Sequence, residues 1–273
     1  MKNIFHIFQK QLIIEIIDKT NRGFEHKIEP LINEMISRNF KKVLVGKTIE
    51  IVIPNDYKKT VYLYATAEKK EHYNQYGIEE RKAFLVLPEN RKTSYFTIIL
   101  NQNIFEDYQY YSTIYQELTH VLDYTYYFKK YGNMHVESEE VKKINYYFEY
   151  YLWSEFNSKR KGLERLQKEK HVNNWDVELQ TSLDQLKQDV HGEQSHLSKL
   201  YYLMHFFARI SVYDDGFLTP ESTLFSNEFL NCNYGAYTNV IYTTVSEIKS
   251  FTEFEKEKDF LKFLMFNLKP TVV

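Results

Sequence analysis

Cysteine is nearly absent from this 273-residue chain, with Cys232 standing alone. That excludes an intramolecular disulfide framework and any Cys-rich zinc module. A metal would have to be held by imidazole, carboxylate or amide groups, and a lone thiol fits a reducing, cytoplasmic setting. Glycine and proline are also scarce, at 8 and 5 residues. No Gly-rich phosphate loop is present, and no Gly/Ser/Pro linker marks a domain boundary. Charge of one sign is lacking too: 35 Lys+Arg stand against 37 Asp+Glu, a net −2. No broad field attracts nucleic acid or an anionic membrane, and no stretch approaches the roughly 20 consecutive apolar residues of a spanning helix. The N-terminal MKNIFHIFQKQLIIEIIDK is interrupted by His6, Gln9, Lys10 and Gln11 and has no small-residue cleavage site, so it reads as a structural helix rather than a leader. What the chain has in abundance is aromatic: 24 Tyr, 20 Phe and 2 Trp. Such weight suits helices packed through broad amphipathic faces, or a partner surface.

Apolar spacing predicts helices over residues 1–20 and 24–41, the second through Ile28, Leu31, Ile32, Met35 and Ile36. Between 43 and 100 the pattern shifts to short β-branched and aromatic runs, KVLVG, TIEIVIP, TVYLYAT, AFLVLP and YFTIILN, which predict strands. From 105 onward helices are expected over 107–131, 137–170, 174–190 and 193–213, with shorter ones within 221–268. Strands followed by helices give an α+β fold, with residues 1–104 and 105–273 as parts of one continuous domain. The mixed-charge run from Ser158 to Lys170 reads as a solvated helix face.

One segment carries chemistry: Tyr115-Gln116-Glu117-Leu118-Thr119-His120-Val121-Leu122-Asp123-Tyr124. It has the layout of HExxH with Gln in the first position. In the intact motif two histidines one helical turn apart hold zinc and the intervening Glu is the general base. At about 100° per residue, Thr113, Gln116, Glu117, His120, Asp123, Tyr124 and Tyr127 share one face, and Ile114, Leu118, Val121 and Leu122 the other. Asp123, one turn after His120, is placed to accept the second ring N–H and set the tautomer.

Three pieces in order, YFTIILN at 95–101, QELTHVLDY at 116–124 and YYFEYYLWSEF at 146–156, make the chain resemble the zincin metallopeptidase superfamily, in particular bacterial and mobile-element members. The likeness covers roughly residues 95–160. It implies that the strand before the active helix binds a substrate backbone, that Glu117 is the catalytic base, and that His120 and a Glu from a following helix, Glu155, are metal ligands. An apolar stripe through Val141, Ile144, Phe148, Leu152 and Leu166 takes in Glu155 and leaves Glu149 at its edge. Gln116 departs from the pattern, because an amide oxygen is a weak, neutral donor better suited to hard cations than to zinc. Two functions follow as expectations: a metal-dependent peptide hydrolase using zinc or another divalent cation, or a catalytically inactive binding protein, encoded by a phage or mobile element and acting on a host protein. His135, His205 and Arg209 are further candidates near such a site. His191 and His196 lie off ligand spacing, and Cys232 reads as a buried thiol.

Overall fold

The computed structural model describes residues 11–36, 40–65, 70, 78, 81–88, 94–106, 108–170, 175–191, 195–213 and 235–267. The chain divides into two units, Met1–Glu137 and Ser138–Val273. In class it is α+β, with a four-stranded sheet in the first unit and a mostly helical remainder. No described helix is long and apolar enough to cross a membrane.

The first unit runs β1 (Ile13–Asp18), α1 (Glu25–Met35), α2 (Lys41–Val43), β2 (Thr48–Ile53), α3 (Tyr57–Tyr64), β3 (Ala83–Val86), β4 (Tyr95–Leu100) and α4 (Gln109–Tyr131). Sheet order is β1-β2-β4-β3. β1 pairs parallel with β2 and β2 parallel with β4, while β3 lies antiparallel on β4. Ile49, Ile51 and Ile53 of β2 and Phe96, Ile98 and Leu100 of β4 are all but fully buried, as alternating β-branched runs at a sheet centre should be.

The helix expected over residues 1–20 is a strand at Ile13–Asp18; residues 1–10 lie outside the described residues. Ile13, Ile14, Ile16 and Ile17 satisfy a helical stripe and a β run equally, so periodicity could not separate them. The partner strand decides, with Ile14 opposite Ile49 and Ile16 opposite Ile51. TVYLYAT, expected as a strand, falls mostly within helix α3. Its start is set by Asp56, whose carboxylate accepts the Lys59 N–H at 2.8 Å, a cap that outweighs the β preference of Thr60, Val61 and Tyr62. Val61 then packs with Tyr57, Phe84 and Ile99, while Leu63 is 76% exposed. KVLVG likewise forms the single turn α2, followed by Gly46 at φ +76°.

β1 is tied to α1 by one side chain. Asp18 Oδ1 accepts the Thr20 N–H at 2.8 Å and the Thr20 hydroxyl at 2.6 Å, and Oδ2 accepts the Phe24 N–H at 2.9 Å. Burial pushes this carboxyl up, but the bonds from Thr20 and Phe24 together hold it below the usual range. A lowered pKa contributes stability above the ordinary carboxylate value, and that contribution is lost as pH falls through the lowered one. Asp18→Asn is expected to cost about 1 kcal/mol at neutral pH, solvent screening included. Denaturant unfolding at neutral and acid pH checks this, because the gap between the two proteins should close in acid.

The second unit contains α5 (Glu139–Ile144), α6 (Tyr147–Lys170), α7 (Trp175–His191), α8 (His196–Tyr213), α9 (Gly235–Glu247) and α10 (Phe251–Lys262), followed by a π-turn at Phe263–Asn267. The continuous helix expected over 137–170 is broken at Asn145 and Tyr146, the latter at φ +57°. Tyr151 stacks on Tyr201 and Glu155 bonds to His205 at the same offset along the chain, so α6 and α8 run parallel, with α7 between them in sequence. α10 runs the other way along α6: Tyr146 reaches Asp259, and Trp153 reaches Ile248. Trp153, Tyr150, Phe156, Phe206, Phe207 and Phe254 form the fully buried centre. In the run from Ser158 to Lys170, Lys161, Glu164, Lys168 and Glu169 are exposed as expected, but Arg160 and Arg165 are buried. Arg160 lies over Phe156 and donates to the Ser246 carbonyl.

Candidate functional site

β4 leads into α4 through Asn101. Its side-chain amide donates to the Arg81 carbonyl at 3.1 Å and its Oδ1 accepts the Asn103 N–H at 3.2 Å, fixing the 3-10 turn Gln102–Phe105. At the other end Gly132, at φ +78°, closes α4 by donating its N–H to the Phe128 carbonyl, a positive-φ conformation that glycine adopts without a Cβ clash. Asn133 then donates to the Pro88 carbonyl at 2.7 Å, tying this end to the segment after β3. Phe128 stacks on Phe96 of β4, and Tyr124 packs on Phe128. α4 is therefore held at both ends and along its length.

Held this way, α4 is buried on two sides. Ile114, Leu118 and Val121 form the apolar line expected for its core face. Glu117, His120 and Asp123 form a second line, at 8%, 6% and 4% exposure. Gln116 is half-buried beside them. The His120 ring leans on Tyr124, one turn on, with centroids 6.4 Å apart. Glu117, His120 and Asp123 all have partners, as ionisable groups this far from water need.

In the second unit, Glu155 Oε2 lies 3.0 Å from His205 Nε2, with side chains 12% and 18% exposed. Tyr201, one turn before His205, packs on its ring at 4.3 Å. Glu155 is thus engaged in a hydrogen bond with an imidazole of its own unit. The stripe drawn through Val141 and Ile144 needs correction, because Ile144 is 71% exposed and Glu149, not Glu155, is the deeply buried carboxylate at 2%. Glu149, Trp153 and Phe156 are spaced i, i+4 and i+7, so a stripe drawn through the aromatics would have found it.

The other candidates are scattered. Arg209 Nη1 donates to the His205 carbonyl on its own helix. His196 Nε2 meets the Met265 carbonyl at 2.5 Å. His135 sits in the 3-10 turn after α4. Cys232 and the His191 side chain lie outside the described residues. The expectation that β4 binds a substrate backbone does not hold, since β2 and β3 flank it and use its hydrogen-bonding groups. An added strand would have to pair at β1 or β3, where the sheet ends among the described residues.

Among the described residues no three His, Cys, Asp or Glu side chains form a group that could hold a metal ion, and the residue one turn before His120 is the Gln116 amide. No protein-family model, curated protein or solved structure matches the chain.

Proposed function

We propose that the chain is a zincin-like protein with a degenerate metallopeptidase site, and that it works by binding a peptide or protein rather than by hydrolysing one. One observation supports this reading. Gln116 takes the position at which an imidazole would pair with His120, on a helix whose Glu117, His120 and Asp123 are buried along a single line. That line preserves the layout of a catalytic helix, while the amide replaces the donor that zinc prefers. The partner class is a peptide or a host protein.

A second reading, a peptide hydrolase dependent on a divalent cation, is favoured by the burial itself. Three ionisable groups withdrawn from water are costly for a scaffold to keep without use. In that reading Glu117 is the general base, His120 and Gln116 are metal ligands, and Asp123 sets the His120 tautomer. Elemental analysis of protein purified without an affinity metal separates the two. The binding reading expects well under one metal ion per chain, unchanged in His120→Ala. Near-stoichiometric metal that disappears in His120→Ala would overturn it, and Glu117→Gln should then abolish peptide turnover without unfolding the protein.

A further inference from the structure

Glu149, in the first turn of α6, is only 2% exposed, and its Oε2 makes no hydrogen bond. The charged groups facing it come from α10, Asp259 and Lys262, and both are committed elsewhere. The Tyr146 hydroxyl donates to Asp259 Oδ1 at 2.5 Å. Lys262 Nζ donates to the Lys143 carbonyl at 2.9 Å and lies over the Tyr146 ring. Three further groups on the neighbouring helices have partners of their own: Lys258 with Glu255 on α10, Lys142 with Glu139 on α5, and Glu155 with His205 between α6 and α8. The π-turn after α10 carries no ionisable group.

We propose that Glu149 is a proton-operated latch between α6 and α10. Uncharged, it leaves Lys262 to cap the last turn of α5 through the Lys143 carbonyl. Ionised, it becomes a buried anion facing the Lys262 ammonium, draws Lys262 away from that carbonyl and loosens the end of α5 from α10. The proton equilibrium agrees with this geometry. Burial pushes the Glu149 carboxyl up; its own backbone N–H and Lys262 pull it down; Asp259 pushes it up again, and the result is a raised value. The native state thus holds this proton more tightly than the unfolded chain. Its contribution is fully present below the ordinary glutamate pKa, about 4.3, and is lost as pH rises through the raised value.

Denaturant unfolding of the full chain from about pH 4 to pH 9 tests the latch. Glu149→Gln keeps the shape and removes the ionisation. It is expected to lower the unfolding constant about tenfold relative to wild type at the alkaline end, which is about 1.4 kcal/mol, and to match wild type at the acid end. Asp259→Asn should move the wild-type midpoint to lower pH and Lys262→Met to higher pH. Hydrogen exchange at the last turn of α5 should quicken across the same midpoint in wild type only. Parallel pH profiles for wild type and Glu149→Gln, or midpoints that ignore both α10 variants, would overturn the proposal.

Discussion

Trp153→Ala is expected to destabilise the second unit by about 3–5 kcal/mol, a large share of what a domain of this size has to lose. Trp153 is fully buried, stacks on Phe254 at 5.4 Å, packs against Tyr150 at 6.1 Å and donates its indole N–H to the Ile248 carbonyl at 3.4 Å. Truncation removes the largest side chain from the α6–α10 contact and leaves that carbonyl without its donor. Neighbouring rings cannot collapse into the space without leaving their own partners, so most of the cavity should persist. Trp153→Phe should cost much less, about 1–2 kcal/mol, because it keeps the ring packing and forfeits chiefly the hydrogen bond. Denaturant midpoints and hydrogen exchange along α6 and α10 provide the measurement. Equal losses in the two variants would show that the indole bond, rather than the packed volume, carries the effect.

Gln116→His is expected to raise zinc affinity about 100-fold, equivalent to about 2.7 kcal/mol. The substitution sets two imidazoles one turn apart on a helix already fixed at both ends by Asn101, Gly132 and Asn133. Little conformational freedom therefore remains to be lost on binding. Competition against a chromophoric chelator near neutral pH measures the gain. It should fade as pH drops through the ordinary histidine range, because only neutral imidazole binds metal. The double variant with His120→Ala should lose the gain entirely. If it does not, the added histidine is acting alone and α4 is not a zincin-type helix.

Much of the fold could be read from residue order, and the failures have definite causes. β2 and β4 were legible because TIEIVI and YFTIIL are dense in β-branched and aromatic residues and too short for competing helices. α4 was legible because its apolar line and its polar line both keep the helical period. β1 was not, since IIEII fits either period and only a partner strand distinguishes them. α3 was not either, because the β preference of Val61 and Tyr62 masks the cap offered by Asp56. The break between α5 and α6 depends on a left-handed Tyr146, a residue type that gives no warning of a positive φ. The QELTH segment was visible as a chemical line, but sequence spacing could not reveal that Glu155 is engaged by His205, half a hundred residues further along. That pairing depends on how α6 and α8 align, which no local pattern encodes.

The sheet's connectivity also bears on the order in which the first unit assembles. β3 and β4 are close in sequence and pair antiparallel, so their closure sacrifices little chain entropy and they can meet early. The two parallel pairings each wait on a longer excursion: β2 reaches β4 only after α3 and β3, and β1 reaches β2 only across α1 and α2. The β3–β4 ribbon, with α4 following directly from it, is thus the expected seed, and β2 joins it across the longest of the three connections. Until it does, β4 presents an open edge carrying Phe96, Ile98 and Ile99, and the folding chain is expected to be most prone to self-association before Thr48–Ile53 docks there.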